Sequence, residues 1–136
     1  MSSGDGIIAN GLIASDAPQA VGPYPHARRV GNLLFLSGIG PRSPHDNGIP
    51  ADFGEQCHAV IANVRAVLAS AGLDLRHLVD VTVFLTNIER DFATFNGIYG
   101  EYFSAQDGPC RTTVEVGRLP TPIAIELKCI AEITTD

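Results

Sequence analysis

The sequence predicts an α+β fold, in which a mixed β-sheet carries two helices on one of its faces. Two amphipathic helical segments are separated by a single strand, and a pair of strands stands at each end, so the element order is β-β-α-β-α-β-β. A length of 136 residues with 45% hydrophobic content is one ordinary domain with a real core. Helices on one face leave the other face uncovered, so we expect a second copy of the chain to cover it in a homo-oligomer.

The N-terminal part of the chain is rich in turn residues. We interpret residues 1–17 as a loose N-terminal extension and residues 18–136 as a single domain. Residues 22–25 form a turn in which two prolines fix the backbone. Residues 28–37 predict two short strands around Gly31-Asn32, and residues 41–50 predict a loop.

The clearest predicted helix begins at Asp52 and ends at Gly72. Asp52 and Glu55 have the spacing of a capping box, and Gly72 is typical of a C-terminal cap. The apolar residues between these ends recur at helical period: Cys57, Val60, Ile61, Val64, Val67, Leu68 and Ala71.

The second half of the chain alternates strands with one further helix. Residues 79–86 are rich in β-branched residues and predict a strand. Residues 91–103 repeat aromatic residues at helical spacing and predict the second helix. Residues 112–116 and 123–133 predict two more strands, joined across the two prolines of residues 119–122.

Composition excludes several classes of function. A formal charge of -6 is unfavourable for nucleic-acid binding, and no apolar run is long enough to span a membrane. The first residues lack the basic flank of a secretory signal, so we expect a cytoplasmic protein. Three cysteines without a CxxC pair and four scattered histidines predict no metal site, and Cys57 and Cys129 are expected to be buried thiols.

Two charged residues on predicted strands are candidates for chemistry. Alternation places Arg111 on one face with Thr113 and Glu115. There it is either a solvent-exposed arginine that pairs with an acidic residue, or a guanidinium that binds a substrate carboxylate with two hydrogen bonds. Glu126 interrupts an otherwise apolar strand. It is either an exposed charge beside Lys128 or a carboxylate in a partly dry cleft that holds water or transfers a proton.

The turn and the strand end supply four further candidates. Tyr24 is interpreted as a packing anchor with its hydroxyl at the surface, and His26 as a possible proton carrier. Ser37 and Gly38, at the end of a predicted strand, either form a turn or offer backbone N–H groups to an anion.

Taken together, motifs over residues 17–133 resemble those of the Rid family, also called YjgF. The motifs are Gly22-Pro23-Tyr24, Leu36-Ser37-Gly38, Glu55-Gln56, Val81-Thr82-Val83-Phe84-Leu85-Thr86, Phe95-Asn96 with Tyr99, Arg111-Thr112-Thr113-Val114-Glu115-Val116, and Leu119-Pro120 with Ile125-Glu126. The resemblance implies a chorismate-mutase-like α+β fold and a homotrimer with active sites between subunits. It also implies hydrolysis of reactive enamines and imines to keto compounds and ammonia, without a cofactor.

The resemblance also implies roles for individual residues. Arg111 matches the arginine that grips the substrate carboxylate, and Glu126 matches the acid that positions the attacking water. Three further matches contribute to substrate binding: Tyr24 in the cleft, Ser37 with Gly38 at the strand end, and Asn96 on a helix near the pocket.

Where the sequence departs from the common family pattern, it resembles the 2-aminomuconate deaminases, whose product is 4-oxalocrotonate. These departures include Pro25-His26, Arg28-Arg29 and Thr113. A dicarboxylate needs a second residue to bind its distal carboxylate. Arg42 is our candidate for this role, and Arg28, Arg29 and His26 are the alternatives. Thr113 is a candidate for stabilising the charge that develops in the transition state. The alternatives are a general 2-iminopropanoate deaminase and a non-catalytic ligand-binding member of the fold.

Overall fold

A computed structural model describes residues 7–8 and 11–134. The strands in these residues are β1 (Ile7–Ile8), β2 (Gly11–Leu12), β3 (Ala27–Val30), β4 (Leu33–Leu36), β5 (Leu78–Leu85), β6 (Cys110–Glu115) and β7 (Ile125–Glu132). The helices are α1 (Phe53–Ser70) and α2 (Ile88–Tyr99), and a short 3-10 turn spans Leu75–His77. The strands form one sheet in the order β1-β2-β3-β4-β7-β5-β6.

The sheet is mixed, as predicted. β5 and β6 run parallel because α2 carries the chain back across the sheet between them, and the other neighbouring strands are antiparallel. Buried residues of both helices join the same core as alternate residues of β5 and β7, so both helices pack on one face. The predicted α+β architecture is therefore confirmed, and β6 lies at an edge of the sheet.

The register of the central strands separates a helix face from an outer face. The helix face buries two directly opposed sets, Val81, Val83 and Leu85 on β5 with Cys129, Leu127 and Ile125 on β7. Phe84 and Glu126 oppose each other on the outer face, as do Thr82 and Lys128, and all four are half-buried. The alternation of apolar and polar residues along β7 therefore decides that Glu126 points away from the helices.

The ends of the helices test the predicted boundaries. Asp52 accepts a hydrogen bond from the N–H of Glu55 at 3.0 Å, and Gly72 follows the helix with φ of +76°, which confirms the predicted cap and end of α1. The second helix begins earlier than residue 91, because the side chain of Asn87 accepts a hydrogen bond from the N–H of Arg90 at 3.0 Å. It also ends earlier, at Gly100, so the predicted range of 91–103 is wrong at both ends.

The segment before residue 18 is not a loose extension where the structure describes it. β2 pairs with β3, and Leu12, Ala14 and Ala17 are buried in the core. The apolar residues of the segment 1–17 show no clear period, so the sequence did not predict this packing. Pairing with β3 decides it. Residues 1–6 and 9–10 of the predicted extension lie outside the described residues.

Candidate functional site

Glu126 lies on the outer face of β7, directly against a glycine. The segment after β4 continues along β7, because Ile39 and Leu127 exchange backbone hydrogen bonds of 2.9 Å. This pairing brings the backbone of Gly38 to the Glu126 carboxylate, so closely that a Cβ at Gly38 would stand 1.9 Å from Oε2. The observed position of the Glu126 carboxylate therefore requires a residue without a side chain at position 38.

The environment of Glu126 suits a group that exchanges a proton. Burial raises the pKa of its carboxyl group above the ordinary value, because the charged form loses hydration. Within the described part of the chain, no hydrogen-bond donor or cation pairs with its carboxylate. A half-buried carboxylate without a partner is able to accept a hydrogen bond from water and to take up its proton.

A small cleft brings together four of the predicted site residues. Tyr24, Gly38, Arg42 and Glu126 line a space of about 60 Å³. The rest of the wall comes from Val21, from Gly40 after β4, and from the segment before β7 with Pro120, Thr121 and Ile123. Tyr24 is 41% exposed, so the predicted surface position of this residue agrees with its place at the mouth of the cleft.

Arg42 is held at this cleft by its own neighbours. Its Nη1 donates to Asn47 Oδ1 at 2.9 Å and its Nη2 donates to the carbonyl of Gln19 at 2.7 Å. The buried Asn63 of α1 fixes the backbone here, since its Nδ2 donates to the carbonyls of Gly40 at 2.9 Å and Arg42 at 2.8 Å. A guanidinium has further N–H donors beyond these two bonds, so Arg42 retains the capacity to bind an anion.

His26 does not take part in the cleft as the sequence predicted. It is buried, and its Nδ1 accepts a hydrogen bond from the N–H of Ala14 at 3.1 Å while Nε2 lies 2.7 Å from the carbonyl of Pro18. Both ring nitrogens are thus bonded to backbone, which leaves neither for a substrate or a proton relay. The prediction of His26 as a substrate-binding residue is therefore wrong: its role is to hold the N-terminal segment against β3.

Three other polar candidates are bonded to the backbone or exposed at the surface. The Ser37 hydroxyl donates to the carbonyl of Pro25 at 2.7 Å, so it braces the turn that precedes β3. Arg28 and Arg29 are exposed on β3, and Arg29 donates to the carbonyl of Gly31 at 2.9 Å. Neither arginine lines the cleft that contains Glu126.

Arg111 lies on the helix face of the sheet, at its edge. It pairs with Val81 of β5, and its guanidinium carbon stands 4.8 Å from the ring centre of Tyr99, 5.1 Å from that of Phe95 and 5.9 Å from that of Phe92. The alternative of a surface pair with an acid is not met by Glu115 on the same face, whose Oε1 accepts a hydrogen bond from the N–H of Ile88 at 2.9 Å. Among the described residues, no acid pairs with Arg111.

The surroundings of Arg111 contain two hydroxyl groups without partners. The side-chain oxygens of Thr113 and Tyr99 are both buried and form no hydrogen bond in the described part of the chain. Thr113 follows Arg111 on the same face of β6, as alternation predicted, whereas Asn96 is exposed on α2 next to Phe95.

The aromatic residues of α2 that contact Arg111 carried no functional prediction. Their helical spacing indicated only a buried helix face. Their aromatic type, together with an arginine on the strand that follows this helix, could have suggested a contact between the rings and Arg111. The pairing of β6 with β5, which brings the two together, is not visible in the sequence.

Within one chain, Arg111 and Glu126 lie on opposite faces of the sheet. Arg111 shares a face with Val81, whereas Glu126 opposes Phe84 on the other face. The chain therefore presents two candidate half-sites, a carboxylate cleft on the outer face and an arginine at the edge of the helix face. In the described residues, no group of three or more histidine, cysteine, aspartate or glutamate side chains is arranged to hold a metal ion. The helices that the structure describes are too short or too polar to cross a membrane.

Comparison with known proteins places this arrangement in a family. The family described as Endoribonuclease L-PSP matches residues 14–133. The chain is 41% identical over 121 residues to a RutC family protein of Pyrococcus abyssi, covering 88% of this chain and 94% of the relative. It is 37% identical over 122 residues to the 2-iminobutanoate/2-iminopropanoate deaminase of Escherichia coli K12, again covering 88% and 94%.

A solved structure agrees with these sequence relatives. The crystal structure of Escherichia coli TdcF with bound serine superposes with a TM-score of 0.81 at 36% identity, covering 88% of this chain and 95% of that one. In the curated relatives, TdcF of Escherichia coli K12 is called a putative reactive intermediate deaminase and is 38% identical over 117 residues, 85% of this chain and 90% of TdcF. The chain therefore belongs to the Rid/YjgF family.

Proposed function

We propose that this protein is a deaminase that hydrolyses small 2-imino acids and their enamine tautomers to 2-oxo acids and ammonia, without a cofactor. The names of the deaminase relatives support this reaction class. The serine bound to TdcF supports a ligand in which a carboxylate adjoins a nitrogen-bearing carbon. The observation that carries the proposal is the unpaired carboxylate of Glu126, half-buried against Gly38 in the cleft. RNA is a less suitable substrate, because the formal charge of -6 repels its phosphates.

The active site in this proposal needs two copies of the chain. Arg111 from the sheet edge of one copy binds the substrate carboxylate with two hydrogen bonds, which fixes the neighbouring imine carbon. Glu126 from the outer face of another copy holds the attacking water. The homotrimer implied by the family resemblance meets this requirement and remains a prediction.

The chemistry needs one water and one base. Glu126 takes a proton from water as the oxygen bonds to the carbon of the protonated imine, which gives a neutral carbinolamine. The proton returns from Glu126 to the amine nitrogen, the C–N bond breaks and ammonia leaves. The hydroxyl group gives its proton to Glu126 as the C=O bond forms, and Glu126 passes this proton to solvent. Each turnover thus consumes one water and releases one 2-oxo acid and one ammonia, and Glu126 regains its starting state.

The first test uses Arg111→Ala to remove the guanidinium that is proposed to bind the substrate carboxylate, the carboxylate clamp. We expect the rate of ammonia release from 2-iminobutanoate, generated in the assay by an L-amino-acid oxidase, to fall by about 100-fold or more, because the imine loses its fixed position. Arg118→Ala is the matched control, since Arg118 is an exposed arginine on the loop between β6 and β7 and does not line the cleft. Near-normal turnover of Arg111→Ala with an intact oligomer would remove the clamp from the mechanism.

We propose 2-aminomuconate as a more specific candidate substrate, on the position of Arg42. This arginine lines the cleft that contains Glu126, where it is placed to bind the second carboxylate of a dicarboxylic enamine. We expect Arg42→Ala to raise KM for 2-aminomuconate about tenfold and KM for 2-iminopropanoate less than about twofold. Equal effects on both substrates would contradict a role for Arg42 in dicarboxylate binding.

The same assays separate catalysis from simple binding. A wild-type chain that binds 2-oxobutanoate but accelerates ammonia release from none of these three substrates would be a ligand-binding member of the family, and the deaminase proposal would then be wrong.

A further inference from the structure

The guanidinium of Arg111 is surrounded by aromatic rings instead of acids. Its central carbon lies 4.8 Å from the ring centre of Tyr99, 5.1 Å from Phe95 and 5.9 Å from Phe92, all on α2. Each distance falls within the range in which a cation is attracted to the face of a ring. No ion pair to Arg111 is present in the part of the chain that the structure describes.

This arrangement has a consequence for ligand binding. An acid from the same chain would occupy the N–H donors of Arg111 and would compete with an incoming carboxylate. Aromatic faces attract the charge without accepting these N–H groups in conventional hydrogen bonds, so the donors remain available for a ligand.

Tyr99 makes the closest of the three ring contacts and is the most informative. It is buried, and its hydroxyl has no hydrogen-bond partner among the described residues. Burial raises the pKa of Tyr99 to about 12, so the phenol is neutral at ordinary pH and does not form an ion pair with Arg111. The contact is therefore one between a cation and a neutral ring.

We propose, on the basis of the proposed deaminase function, that Tyr99 is a positioning residue whose ring holds Arg111 in the orientation that binds the substrate carboxylate. The ring provides a rigid surface in the core, since it also packs against Phe95 at 5.3 Å and Phe103 at 4.5 Å between ring centres. The long side chain of Arg111 then loses less freedom when the ligand arrives, because one of its faces is already held.

The experiment compares variants that keep or remove the ring. Binding of 2-oxobutanoate, the expected product, is measured by NMR titration of the oligomer. We expect Tyr99→Leu to weaken binding about tenfold, and Tyr99→Phe, which keeps the ring, to stay within about twofold of the wild type. Tyr99→Phe should also be at least as resistant to denaturant, because it removes a buried hydroxyl without a partner.

Phe103→Leu is the matched control for general loosening of the aromatic stack. Phe103 packs on Tyr99, and among the described residues its ring is not one of those that face the Arg111 guanidinium, so its loss should change affinity less than about twofold even where stability falls. Equal weakening by Tyr99→Leu and Phe103→Leu would overturn the positioning role. Equal weakening by Tyr99→Phe and Tyr99→Leu would overturn the assignment of that role to the ring.

A double-variant experiment tests whether Tyr99 acts through Arg111. Arg111→Lys keeps the charge but replaces the planar guanidinium with a flexible ammonium, so Tyr99→Leu should weaken binding in this background by less than about twofold. The same tenfold loss in both backgrounds would show that the two residues act independently. Failure of the deaminase proposal is separate, since it is seen in the wild type as absence of ammonia release.

Discussion

Glu126 combines a raised pKa with a position that suits a base. Burial raises this pKa, and only the ionised form accepts a proton from water. We therefore expect the rate of the wild type to rise as pH increases through the raised pKa, and Glu126→Gln to reduce turnover of 2-iminobutanoate by about 100-fold with no such rise. A pH–rate profile of both forms measures this, and a similar rise in Glu126→Gln would show that another group is responsible.

The same carboxyl group predicts a pH dependence of stability. A raised pKa means that the folded state holds the proton more tightly than the unfolded state, so this group favours folding at low pH. The contribution is lost as pH rises through the folded-state pKa. Urea denaturation at fixed protein concentration should therefore show wild-type stability falling relative to Glu126→Gln as the pH rises above about 4, the ordinary range of a glutamate. The opposite trend would contradict burial as the cause.

Gly38 determines where the Glu126 carboxylate lies. A methyl group at position 38 would stand 1.9 Å from Oε2, so Gly38→Ala must displace the carboxylate and should reduce deaminase turnover about 100-fold. Gly97→Ala is the control, because no atom lies within 4 Å of its added Cβ and it sits inside α2. That variant should keep full activity and gain about 0.5–1 kcal/mol of stability. Full activity in Gly38→Ala would show that the observed carboxylate position is not required.

At the scale of elements, His26 connects the N-terminal segment to the sheet. Its backbone N–H donates to Leu12 at 2.9 Å, and its ring bonds to the backbone of Ala14 and Pro18. His26→Ala leaves a buried N–H without a partner, so we expect a loss of about 2–4 kcal/mol in the free energy of unfolding, with turnover unchanged at temperatures where the variant is folded. Unchanged stability with lost turnover would restore His26 as a substrate-binding candidate.

At the scale of the whole molecule, the two half-sites predict complementation between inactive variants. Arg111 and Glu126 face opposite sides of the sheet, so in the proposed mechanism a complete site takes one residue from each of two copies. Refolding an equal mixture of Arg111→Ala and Glu126→Gln should place both native residues in about one quarter of the sites, and should recover about one quarter of wild-type turnover. Each variant refolded alone is the control. No recovery in the mixture would mean that both residues act from the same chain.

Local patterns predicted most of the architecture. The period of apolar residues and the caps at Asp52 and Gly72 identified α1, because these signals arise from neighbours in the chain. The start of α2 was missed, since Asn87 caps a turn that carries no apolar pattern. The short β2 strand was also missed, because a strand of two residues is stabilised almost entirely by its partner.

The sequence by itself determined which residues share a face along each strand, since side chains alternate on any extended backbone. It grouped Arg111 with Thr113, and Glu126 with Lys128. On β7 the apolar alternation also indicated the buried face, whereas on β6 only the tertiary structure decided which face turns toward the helices. In β6 the polar pair faces them, while Val114 is 37% exposed, the reverse of what hydrophobicity alone favours. The physical reason is that a strand takes its orientation from the register of its neighbour β5, a contact between residues far apart in the chain.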